Sequence, residues 1–95
     1  VDYVLAFVYQ GPGAVAAARR LAGATDPEQA EPTSIRGAFG RNTSAGVMEN
    51  VLHASSDAQE AEREIKLWFE PDELLEPVYP TTTKVCTNCT KRVWI

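Results

Sequence analysis

Histidine is nearly absent from this chain of 95 residues: there is one, His53. Cysteine is almost as scarce, and both copies, Cys86 and Cys89, lie near the C-terminal end. Two are too few for a disulfide-built scaffold. A reducing, intracellular setting is therefore expected, with the pair present as incidental free thiols. A single CxxC supplies only half of the ligands a structural zinc ion needs, so a zinc knuckle shared with other sequence is the second reading. Basic charge is also short, with 9 Lys and Arg against 13 Asp and Glu and a net charge of −4. That argues against a nucleic-acid partner, which would want a basic surface, but not against a nucleotide, for which a few local cations suffice. No apolar run approaches the roughly 20 residues that span a bilayer, so no membrane partner is expected. The opening residues hold neither a secretory core nor a basic targeting helix. Val1 leads directly into an apolar run, as expected of a sequence entered in mid-domain.

What is present has the composition of a globular protein, 44% hydrophobic and 23% charged. Residues 1–9, VDYVLAFVY, form an apolar run of strand length and predict a buried strand. Gln10-Gly11-Pro12-Gly13 breaks it. Residues 13–22 are strong helix formers, with Val15, Ala18 and Leu21 or Ala22 at helical spacing, Arg19 and Arg20 in the last turn and Gly23 as the stop. Residues 24–47 carry Pro27, Pro32 and several Gly, Ser, Thr and Asn, which predicts a long irregular loop with one short helical turn. Residues 50–54, NVLHA, predict a short strand. A helix is expected from about 57 to 69, with Asp57 and Glu60 in a capping-box arrangement and Ala58, Ala61, Ile65 and Trp68 as its buried stripe. Pro71 ends it or begins another turn. Residues 76–95, with Pro77, Pro80 and a threonine run, read as an extended tail.

Taken alone, a histidine in an apolar stretch is a packing residue, and an isolated arginine is a solvated surface charge. The neighbours of His53 point elsewhere. It stands just ahead of a helix start, where backbone N–H groups favour anions. Glu64 lies about two turns into that helix, and a carboxylate bonded to one ring nitrogen leaves the other free as a nucleophile. Arg19, Thr25 and Arg36 add two guanidinium groups and a hydroxyl, a set suited to a polyphosphate. Phosphoryl transfer asks for positioning and charge neutralisation above all.

The order Gly23-Ala24-Thr25-Asp26-Pro27, Ser34-Ile35-Arg36-Gly37-Ala38-Phe39-Gly40, Asn50-Val51-Leu52-His53-Ala54-Ser55, then Ala61-Glu62-Arg63-Glu64-Ile65, ending in Pro71-Asp72-Glu73-Leu74, resembles the nucleoside diphosphate kinase family over residues 1–75, the C-terminal part of that domain. The N-x-x-H-A-S segment followed by A-E-R-E-I is the specific part. The resemblance implies an α+β, ferredoxin-like sandwich with an antiparallel sheet, only its second half carried by this chain. It implies ping-pong transfer of a terminal phosphate from a nucleoside triphosphate to a nucleoside diphosphate. His53 would be the phosphohistidine and Glu64 would orient its ring. Arg19, Thr25 and Arg36 would hold phosphates, Asn50 the sugar and a phosphate, with Val47 near the base and Ser55 supporting the histidine loop. No protein side chain would bind the metal; Mg2+ would arrive on the nucleotide phosphates. A cytoplasmic homo-oligomer, hexamer or tetramer, completes the expectation.

The chain also departs from the family pattern. The Lys-Pro-Asp strand and the base-stacking aromatics of the family's N-terminal half are not in it. The stretch between Arg36 and His53 is a few residues longer than usual, with the extra length near residues 41–46, and Ala38, Glu49 and the Ser56-Asp57 order are unusual. These changes bear on nucleotide affinity more than on chemistry. They also leave open a second function, a degenerate, non-catalytic kinase-like domain acting as an assembly or interaction module in a larger protein.

Overall fold

The computed structural model describes residues 3–95, which fall into two compact units, residues 11–58 and residues 3–10 with 59–95. The first unit opens with helix α1, Ala14–Ala22, on a run of five alanines, one valine, one leucine and two arginines. Gly13 starts it at φ 66°, and Gly23 ends it at φ 89° with its N–H on the Arg19 carbonyl. These are left-handed positions that glycine takes without a Cβ clash. The predicted loop over 24–47 holds more order than expected. Helix α2, Ile35–Phe39, is capped by the Ser34 hydroxyl, which accepts from the Gly37 N–H at 3.1 Å and donates to the Glu31 carbonyl at 2.7 Å. Strands β1, Arg41–Asn42, and β2, Met48–Glu49, then pair antiparallel. The extra residues between Arg36 and His53 thus form a small ribbon. Arg41 Nε closes its base on Glu49 Oε2 at 2.7 Å, and that hydrogen bond, followed by the carboxylate's charge, raises the Arg41 pKa further.

Helix α3, Ala58–Trp68, lies in the second unit from Gln59 onward and is followed by a 3-10 turn, Pro71–Glu73, in which the Glu70 N–H donates to Glu73 Oε1 at 2.8 Å. Ion pairs at helical spacing, the part-buried Glu62–Lys66 and the more exposed Glu60–Arg63, lie along α3. The expected stripe is only partly covered: Ala61 and Ile65 are half-buried, whereas Ala58 and Trp68 are exposed. Residues 81–94, expected as part of an extended tail, form a hairpin of β3, Thr81–Cys86, and β4, Cys89–Trp94, in unbroken register. Trp94 Nε1 donates to the Phe69 carbonyl at 2.8 Å, and Lys91 pairs with Glu70, so the hairpin is tied to the end of α3. Cys86 and Cys89, expected as free thiols, are joined in a disulfide. The register places them directly opposite across a two-residue turn with Cα atoms 5.1 Å apart, inside the range a disulfide spans.

Residues 1–9 also differ from expectation. Residues 1 and 2 lie outside the described part; residues 3–10 form no strand ladder, and Tyr3, Val4, Leu5, Phe7 and Tyr9 are all exposed. A strand needs a neighbouring edge for its N–H and C=O groups, and the described residues supply none. Helices with antiparallel pairs make the chain α+β, consistent with a ferredoxin-like domain. Its strands are arranged as two separate two-stranded sheets instead of one larger sheet.

Candidate active site

Apolar burial is slight in the unit of residues 11–58. Among its described residues Ala22 and Pro27 are the buried apolar ones, and the other buried side chains are polar, Ser34 and Arg36. Polar groups must be hydrogen-bonded to be buried without a large cost, and Arg36 shows how this is met. It leaves α2 with 8% exposure, and Nη1 donates to the Gly23 carbonyl at 2.9 Å while Nη2 donates to the Leu52 carbonyl at 2.8 Å. One guanidinium thus joins the end of α1 to the residue before His53. Its Nε is buried without a hydrogen-bond partner.

The other predicted residues of this unit gather on the same segment. Arg19 Nη1 donates to the Ala54 carbonyl at 3.4 Å, a long bond. The two carbonyls that flank His53 in the chain are therefore each held by an arginine. Asn50 Nδ2 donates to the Thr25 carbonyl at 3.2 Å, tying the loop after α1 to the start of the histidine segment. His53 is exposed, and so is Thr25; Asn50 and Ser55 are half-buried. Val47 lies in the β1–β2 ribbon, exposed, with its N–H on Thr43 Oγ1 at 3.1 Å and its carbonyl accepting from the Thr43 N–H. Glu64 lies half-buried on α3.

The strand expected over 50–54 is not there. The Leu52 N–H donates to the Asn50 carbonyl at 2.9 Å, closing a three-residue turn with Val51 at φ 65°. A β-branched residue in that region is strained, and a turn of this kind is rare. Such conformations persist where the surroundings hold them; here the Leu52 carbonyl is held by Arg36, and Asn50 is anchored by its own side chain to the Thr25 carbonyl. The result is a sharp bend that presents the imidazole one residue beyond a clamped carbonyl.

Asp26 is the site-neighbouring residue the sequence reading passed over. Its Oδ1 accepts from the Glu28 N–H at 3.0 Å and from Asn42 Nδ2 at 2.9 Å. The first bond is the Asx turn that an Asp-Pro pair announces; the second anchors the ribbon to the loop that carries Thr25. Among the described residues no group of three or more His, Cys, Asp or Glu is arranged to hold a metal ion. A cavity of about 440 Å³ lies in the other unit, lined by Val8, Gln10, Leu74, Leu75, Glu76 and Val78, and none of the predicted site residues lines it. The cluster around His53 is therefore cationic and rich in donors, which suits an anion.

The family model for nucleoside diphosphate kinase matches residues 2–74. The chain is 44% identical over 81 residues to a nucleoside diphosphate kinase of Thermococcus kodakarensis, covering 80% of this chain and 46% of that one. It is 47% identical over 77 residues to the cytosolic nucleoside diphosphate kinase of Dictyostelium discoideum, with 81% and 47% covered. It is 49% identical over 85 residues to a nucleoside diphosphate kinase of Pyrococcus horikoshii, with 84% and 52% covered. The chain spans about half the length of the curated relatives it matches.

Proposed function

The chain belongs to the nucleoside diphosphate kinase family, and on that premise we propose that it carries the phosphohistidine part of such an enzyme's site. His53 would take the terminal phosphate of a nucleoside triphosphate and pass it to a nucleoside diphosphate. In the first half-reaction a ring nitrogen attacks the γ-phosphorus, the bond to the β-phosphate oxygen breaks, and the diphosphate leaves. A second diphosphate then attacks the phosphohistidine and leaves as the triphosphate. The observation that carries the reading is the pair of arginine-held carbonyls on either side of His53, at Leu52 and Ala54. They fix the backbone of an exposed imidazole, which is what in-line attack requires.

Arg19, Thr25 and Asn50 reach the surface beside this segment and are the groups proposed to take phosphates. Arg36 would act from behind, setting the backbone and adding a positive charge near the transferring group. Val47 would lie toward the base, Ser55 would support the histidine loop, and Glu64 would fix the tautomer of the ring. Mg2+ would enter on the nucleotide phosphates and offset their charge. Assembly as a hexamer or tetramer and a cytoplasmic location belong to the same proposal.

The test is incubation of the protein with γ-labelled nucleoside triphosphate. Acid-labile label on the protein is expected, absent in His53→Ala and discharged by unlabelled nucleoside diphosphate. Label that survives the His53→Ala substitution, or that never forms, rejects the reading.

A further inference from the structure

The kinase chemistry makes no use of the β3–β4 hairpin, yet its tip places two sulfurs side by side in the open. We propose that Cys86 and Cys89 form a thiol–disulfide exchange site, reduced and re-formed by low-molecular-weight thiols and their disulfides. Both cysteines are exposed, as are Thr87 and Asn88 between them, so an incoming thiolate meets no wall of side chains. The bond closes a loop so short that it constrains the unfolded chain little compared with a long-range disulfide. Nor does the hairpin depend on it. The remaining register pairs, the Trp94 bond to the Phe69 carbonyl, the Ile95 N–H on the Pro80 carbonyl and the Lys91–Glu70 pair hold the ribbon without it. A disulfide that is exposed and not needed for the fold is of the exchangeable kind.

The two sulfurs are not equivalent. Alternation along a strand puts Lys84 on the same face as Cys86 and Lys91 on the same face as Cys89, and the register sets the two lysines opposite each other. Lys91 is engaged by Glu70, whereas Lys84 has no acidic partner among the described residues. The positive charge that favours a thiolate is therefore less compensated beside Cys86. Cys86 is the better leaving group, so attack falls on the Cys89 sulfur. A thiolate RS− bonds to Cys89 Sγ, the Cys86–Cys89 bond breaks, and Cys86 departs as the thiolate. A second thiol then attacks the mixed disulfide, releasing RSSR. Two electrons and two protons pass from two RSH to the cysteine pair, and oxidised RSSR reverses the sequence.

The experiment equilibrates the protein in mixtures of reduced and oxidised glutathione, quenches with acid, alkylates and reads intact mass. A single transition from no adduct to two alkyl groups is expected as reduced glutathione rises. A pair that stays bonded in excess reduced glutathione, or stays free in oxidised glutathione, overturns the site. In the single variants the thiol of Cys89→Ser is expected to alkylate at neutral pH about three-fold faster than that of Cys86→Ser, and Lys84→Gln to remove the difference. Equal rates in the two variants, or a difference that survives Lys84→Gln, overturn the assigned order of attack.

Discussion

Replacing Arg36 by alanine removes two charge-assisted bonds, 2.9 Å to the Gly23 carbonyl and 2.8 Å to the Leu52 carbonyl. Bonds to a charged donor contribute about 1.5–3 kcal/mol each, and a partly buried carbonyl left without its donor adds a penalty of its own. The side chain is 8% exposed, so the packing of its stem is lost too. Against this, the unpartnered buried Nε is a cost that disappears with the side chain. The balance is a loss of about 3 kcal/mol, a large part of the stability of a small domain. With a urea slope of about 1–1.5 kcal/mol per molar for a chain this short, the midpoint should fall by about 2–3 M. Arg36→Lys keeps the charge, but one ammonium cannot reproduce the two-pronged donation, so it should recover no more than about half of the loss. Per folded molecule, phosphoryl transfer in Arg36→Ala should drop on the order of 10²-fold. A urea midpoint for Arg36→Ala within about 0.3 M of the parent would refute the clamp, because no compensation of that size is available from an exposed neighbour.

Two further outcomes follow from close packing and from burial. A Cβ on Gly37 would meet the Glu31 carbonyl oxygen at 1.9 Å and its carbon at 2.7 Å, backbone atoms that cannot swing aside. Gly37→Ala should therefore cost about 3 kcal/mol in denaturant unfolding, and a loss below about 1 kcal/mol would mean that α2 slides freely. Tyr79 has its phenol pKa raised, first by burial and then by the Glu62 charge, with Lys66 opposing. Its neutral form supports the fold fully below a pH of about 10, and that support fades as pH climbs through the raised value. Difference absorbance against Tyr79→Phe should show the missing phenol titrating above an ordinary tyrosine; titration at or below that value would remove the effect.

Helices α1 and α3 were legible because their apolar spacing, charges and stops are local signals that agree with one another. The motif order located the histidine segment, and Arg19, Thr25, Arg36 and Asn50 do converge on it. What the sequence hid is how they converge. The acceptors are main-chain carbonyls at Gly23, Thr25, Leu52 and Ala54, and every residue type carries one. The bend at Val51 was hidden for the opposite reason: a β-branched residue argues for a strand, and three side-chain ties overrule that local preference. The run at 3–9 records an appetite for a sheet without naming the neighbour. The hairpin was readable in principle, from β-branched residues on both sides of Thr87-Asn88, but Pro77, Pro80 and the absence of a turn glycine masked it.

The near-lack of buried apolar side chains in residues 11–58, beside the well-tied Arg36 and Ser34, has a thermal consequence. Exposing hydrocarbon raises the heat capacity on unfolding, and exposing polar surface lowers it. A region held through guanidinium, hydroxyl and carboxamide ties should melt with a small heat-capacity step and lose little strength on cooling, so the bend that presents His53 would keep its shape over a wide span of temperature.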